Sequence, residues 1–191
     1  MSLEQTIQVI AETVDQRDPY TAGHQRRVAD LSTRIAQKMG LAEERIQGLG
    51  LAATIHDLGK MGVPAEILTK PGKLTPTQIS LIREHVQMGY DIIRNVKFPW
   101  PIADIVRQHH ERLDGSGYPQ GLKGEEILLE ARILAVADVT EAMASHRPYR
   151  ESLGTDAALE EIVRRRGKYF DADVVEACLS LFREDGYVFP S

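Results

Sequence analysis

His24-Gln25-Arg26-Arg27-Val28-Ala29-Asp30-Leu31-Ser32-Thr33-Arg34-Ile35-Ala36-Gln37-Lys38-Met39-Gly40 is the stretch on which the fold turns. Val28, Leu31, Ile35 and Met39 recur at spacings of three and four, which lines one face of an amphipathic helix. Gly40 suits a left-handed stop after that face, and Thr21 can cap its start. His24 lies one turn before Val28 on the same apolar face, so a titratable ring points inward.

The same punctuation repeats on both sides. Leu3, Ile7, Ile10 and Val14 form an earlier apolar face that breaks at Asp18-Pro19. A third helix spans about Glu43 to Leu58. Thr75-Pro76 starts a fourth, lined by Ile79, Ile82, Val86 and Ile93 and running to about Arg94. Helices follow from Pro101 to about His109 and, after a Gly-rich loop, from about Glu130 to Ser145. Two more begin near Thr155 and Asp171. Strand alternation is absent, so the pattern predicts an all-α fold: a single helical bundle of about eight helices, without internal repeats.

Chemistry enters with the polar residues on the buried faces. His56 extends the stripe of Ile46, Leu49 and Ala53, His85 follows Leu81 by four, and His109 follows Ile102 and Ile105 by seven and four. Asp57 stands beside His56, and Asp138 closes the apolar run Ile133-Leu134-Ala135-Val136-Ala137. A lone histidine on an apolar face is commonly a hydrogen-bonded core residue. Several helices presenting imidazoles inward beside carboxylates are another matter, because a buried carboxylate needs a compensating charge. A metal site in the core of the bundle meets that need, and imidazole with carboxylate suits Fe, Mn, Zn, Co or Ni.

Composition bounds the alternatives. The 191 residues suit one globular domain; 42% are hydrophobic and 27% charged. The 23 Lys and Arg against 28 Asp and Glu leave a net charge of −5, which argues against binding DNA or RNA polymers. Cys178 is the only cysteine, which excludes an intrachain disulfide and fits a reducing cytoplasm. No apolar run approaches the ~20 residues that a bilayer requires. The helical pattern begins almost at once, at Leu3, as expected of a domain cut from a longer protein.

His56-Asp57-Leu58-Gly59-Lys60 resembles the paired His-Asp signature of the HD phosphohydrolase superfamily. His109-His110-Glu111-Arg112-Leu113-Asp114-Gly115-Ser116-Gly117-Tyr118-Pro119 resembles the longer second signature of its HD-GYP family, and Ala137-Asp138 and Arg147-Pro148-Tyr149-Arg150 follow in order. The resemblance covers about Ile7 to Phe182. It implies a single HD-GYP-type domain over residues 1–191 that hydrolyses cyclic di-GMP to linear pGpG in bacterial signalling, with pGpG expected to accumulate and onward cleavage to GMP as the open alternative. Two divalent ions are implied, Fe or Mn first and Ni, Co or Zn also compatible. His24, His56, Asp57 and Asp138 would hold one, and His85, His109 and His110 the other, with Asp57 bridging. Asp57 and Lys60 are the implied catalytic residues. Lys60 would also meet the scissile phosphate, and Gly117, Tyr118, Arg147 and Arg150 would bind guanine or phosphate. Some members hold a third metal with a glutamate four residues before the first histidine. Tyr20 stands there, which predicts two metals. Glu111 is expected to support the ligands from behind, and His146 to face solvent. The implied partners are the cyclic dinucleotide and regulatory or sensor domains of the full-length protein; a homodimer is compatible. Hydrolysis of cyclic GMP-AMP, or a non-catalytic domain that binds the messenger or a partner protein, are the alternatives.

Overall fold

A computed structural model describes residues 3–17, 23–145 and 153–190 of the chain. Ten α-helices run through them: α1 Leu3–Arg17, α2 His24–Lys38, α3 Glu43–Thr54, α4 Ala65–Leu68, α5 Pro76–Arg83, α6 His85–Ile93, α7 Ile102–Gln108, α8 Leu129–Ala144, α9 Gly154–Arg164 and α10 Ala172–Arg183. Two 3₁₀ turns, Leu58–Gly62 and Gly124–Glu126, complete the set. No strand occurs among the described residues, only the isolated bridges Asp114–Lys123 and Arg166–Phe170. The expected all-α bundle is what forms.

The centre is built from α2, α3 and α8, with α9 and α10 packed against α8. Ile133, Leu134, Val136 and Ala137 are all fully buried, which requires α8 to be covered on every side. Val28, Leu31 and Ile35 seat α2 against it, and Gly40 adopts the left-handed stop at φ 73°. Ile7 and Val14 bury the predicted face of α1.

Several boundaries differ from the sequence reading. The third helix ends at Thr54 rather than near Leu58, so His56 and Asp57 stand on the turn beyond it. The fourth is broken at Glu84 into α5 and α6, and the short α4 is additional, which makes ten helices of the expected eight. One physical cause serves both boundaries. His56 Nδ1 lies 2.7 Å from the Ala53 carbonyl oxygen, and His85 Nδ1 lies 2.7 Å from that of Ile82. Each ring thereby takes the carbonyl that an unbroken helix would give to the backbone N–H of the residue after the histidine. Ile79 and Leu81, expected on or beside a buried face, are 40% and 42% exposed. Helix α2 begins at His24 with Gly23 in the capping position; Thr21 lies outside the described residues, as do Tyr20 and His146.

Candidate metal centre

Three helix ends aim imidazoles at one point. His56 follows α3, His85 follows α5 and His109 follows α7, in the zone where the last carbonyls of a helix lack intrahelical partners. His109 Nδ1 repeats the pattern, 2.6 Å from the Val106 carbonyl oxygen. A carbonyl only accepts, so each Nδ1 carries the proton and each Nε2 presents a lone pair. All three Nε2 atoms are buried, and none has a hydrogen-bond partner.

His24 arrives differently, from the first residue of α2, and faces Asp138 of α8, with Nε2 3.3 Å from Asp138 Oδ1. Asp57 stands in the middle. Its Oδ2 lies 3.6 Å from His56 Nε2 and 3.9 Å from His24 Nε2, whereas its Oδ1 lies 3.4 Å from His85 Nε2. The two carboxylate oxygens thus address two different groups of rings. His110 completes the second group, its ring centroid 4.0 Å from that of His109 and 5.2 Å from that of His85. His109 and His110 both stand past the end of α7, which stops at Gln108, so two adjacent side chains can face the same place.

Donor atoms of His24, His56 and Asp138 lie within 4.8 Å of one another, as do those of His85, His109 and His110 and those of His56, Asp57 and His109. These sets fit a divalent cation on three counts: uncommitted buried lone pairs, a carboxylate shared between groups, and a mixed imidazole and carboxylate donor set. Burial favours the neutral, ligand-competent imidazole. It pushes His109 down to about 3, with His56 and His85 adding to the effect, and holds His110 well below the usual histidine range. Burial lowers His85 too, against the opposing pull of Asp57. His24 is the exception. Burial opposes its charge, but hydrogen bonds to Asp138 and Glu141 carry it up to about 9.

The cluster opens on the side of Asp138 and His110, both only partly buried. Tyr118 stacks on His110 there with ring centroids 4.9 Å apart, and the Arg83 guanidinium sits 4.9 Å from the centre of the Tyr118 ring. Lys60 Nζ donates to Asp57 Oδ2 at 2.7 Å. Gly117 is pressed onto the backbone of residues 110–112, where a Cβ would collide with Glu111 Cα and Arg112 N, so close packing accounts for the glycine. Glu111 holds the same loop, accepting from Gln120 N at 2.7 Å and Leu122 N at 3.0 Å. Arg147 and Arg150 lie outside the described residues. Sequence reasoning missed Glu141, a buried carboxylate bonded to His24 Nδ1. No spacing singled it out, since α8 also carries Glu130, Arg132 and Thr140.

The HD domain family model matches residues 8–174. The chain belongs to the HD domain family. This HD domain is 41% identical over 177 residues to the cyclic di-GMP phosphodiesterase response regulator RpfG of Xanthomonas campestris pv. campestris, covering 92% of the chain and 47% of that protein. It is 35% identical to the 3'3'-cGAMP-specific phosphodiesterase 2 of Vibrio cholerae, over 92% of the chain and 34% of that protein. Among solved structures it resembles the HDG"Y"P protein Bd1817 of Bdellovibrio bacteriovorus, with a TM-score of 0.70 at 21% identity over 84% of the chain and 51% of that one. The expected kinship holds, and this HD domain spans about half or less of the length of these relatives.

Proposed function

We propose that this HD domain is the phosphodiesterase part of a longer cytoplasmic signalling protein and that it hydrolyses cyclic di-GMP to linear pGpG. The observation that carries the reading is the trio of buried, unpartnered Nε2 lone pairs around Asp57. Leaving a buried polar atom unsatisfied costs about 1–3 kcal/mol each, so three gathered around one carboxylate point to a cationic occupant. His24, His56, Asp57 and Asp138 would hold one divalent ion, and Asp57, His85, His109 and His110 a second, Fe or Mn being the first choices. Such a cation pair supplies Lewis acidity, lowering the pKa of water toward neutrality and neutralising charge on a phosphodiester.

The residues of the chain do the rest. Asp57, with one oxygen toward each group of rings, would contribute to both ion positions. Lys60 places a partly exposed ammonium beside Asp57, where it would meet a phosphate oxygen. Tyr118, stacked on His110, offers an aromatic wall at the opening for a guanine, and Arg147 and Arg150 follow Asp138 closely enough in sequence to add guanidinium donors. No helix among the described residues is long and apolar enough to cross a membrane. A second reading, hydrolysis of cyclic GMP-AMP, is favoured by the Vibrio cholerae relative, which is named as specific for that messenger.

The test is to load the chain anaerobically with Mn²⁺ or Fe²⁺, supply cyclic di-GMP and cyclic GMP-AMP separately, and resolve products by chromatography. We expect pGpG from the first, two metals per chain, and loss of both turnover and bound metal in Asp57→Ala. Near-normal turnover in that variant would sink the assignment, and exclusive cleavage of cyclic GMP-AMP would select the second reading.

A further inference from the structure

Four histidines of the centre have an Nδ1 whose hydrogen bond is defined, and one of the four is held in a different way. His56, His85 and His109 each stand past the end of a helix, where an orphan carbonyl three residues back takes the Nδ1 proton. His24 is the first residue of α2. At that end of a helix the orphan groups are N–H donors, and His24 Nδ1 is bonded to a side chain instead.

Glu141 of α8 supplies that side chain. Its Oε2 takes the His24 Nδ1 proton, while its Oε1 accepts from Arg27 Nε at 2.6 Å and from Ser145 Oγ. The carboxylate is 1% exposed, and its two oxygens divide the work: one aims the ring, the other is clamped. Asp138, one turn earlier on α8, meets the opposite nitrogen, with His24 Nε2 3.3 Å from its Oδ1. Helix α8 therefore grips this imidazole at both nitrogens. Without Glu141 the ring could turn over and present a carbon where Nε2 now points.

We infer that Glu141 is a positioning residue for a metal ion held by His24, acting through His24 Nδ1 and itself clamped by Arg27 and Ser145. This rests on the reading of His24 as a ligand. It adds that one of the two ion positions depends on a side chain 117 residues away in sequence from the ligand it orients, whereas the His85, His109 and His110 position includes two rings aimed by local backbone carbonyls. Removing such a carboxylate typically weakens metal affinity by about 10–100-fold.

The experiment is a double-mutant cycle read by Mn²⁺ binding. Metal-stripped full chain, as wild type, Glu141→Ala, His24→Ala and the double variant, is titrated with Mn²⁺ by calorimetry, without substrate. Glu141→Ala should weaken one of the two binding steps by about 10–100-fold and leave the other within about threefold. The double variant should bind no more weakly than His24→Ala, because a residue that acts only through His24 has nothing left to orient. Losses that multiply, equal weakening of both steps, unchanged affinity in Glu141→Ala, or no Mn²⁺ binding by the wild type would each overturn the inference. If Glu141→Ala does not fold, Glu141→Gln takes its place and the non-additivity criterion is unchanged. Because no substrate is present, a chain that binds metal as expected but cleaves no cyclic dinucleotide would refute the proposed activity and leave this inference standing.

Discussion

Helices α5 and α6 read in the sequence as one continuous helix, yet the molecule treats them in opposite ways. Helix α5 buries none of its side chains and is held by chemistry at its own start. Thr75 accepts from Gln78 N at 3.2 Å, Gln78 returns the favour to Thr75 N at 3.0 Å, and Pro76 occupies the first turn. Helix α6 lacks a side-chain cap but buries His85, Val86, Gly89 and Ile93 against the turn at Leu58–Gly62 and against α7. One element forms because its end is well made, the other because its face is covered. Only the covered one carries a residue of the metal centre, since a ring can be held to a fraction of an ångström only where its backbone is fixed by packing.

The largest expected effect comes from the contact that fixes α6. A Cβ at Gly59 would run into the His85 carbonyl oxygen and stand 2.6 Å from Gly89 N, both backbone atoms that cannot step aside. Gly59→Ala must push α6 away from the turn that carries His56 and Asp57, so we expect a loss of about 3 kcal/mol, together with loss of metal binding. Denaturant unfolding and metal analysis check it, and a variant of wild-type stability would break the contrast between the two helices. Next, Ile93→Ala, on the buried end of α6, should cost about 2–3 kcal/mol by the same unfolding measurement. The smallest effect belongs to α5. Thr75→Ala removes the cap and should cost about 1 kcal/mol while leaving Mn²⁺ affinity unchanged. A fall in affinity there would mean that the start of α5 is coupled to its far end, where the Ile82 carbonyl aims His85.

The break between these helices also shows how far the sequence could be read. Spacings of three and four located Val28, Leu31, Ile35, Val86 and Ile93 as core, and all five are buried. They could not register that Ile79 and Leu81 continue the pattern toward solvent, because periodicity reports which face a residue occupies and not whether anything packs on it. The inward turn of His24, His56, His85 and His109 was legible as polar residues on apolar stripes. Glu141 was not, because a glutamate in a helix ordinarily reaches water, and its meaning depends on His24 lying opposite in space.

What the amino-acid sequence determined by itself is the helical class, the apolar stripes and the set of imidazoles and carboxylates available to a metal, because these follow from residue type and local spacing. Where the helices stop, and which nitrogen each ring turns to the centre, only the tertiary structure decided. Ala53, Ile82 and Val106 could each have given their carbonyl to the next N–H of a longer helix; each gives it to an imidazole instead. The choice is between hydrogen bonds of similar strength, and convergence of the three Nε2 atoms on Asp57, together with the packing of α6 against Gly59, selects the broken helix.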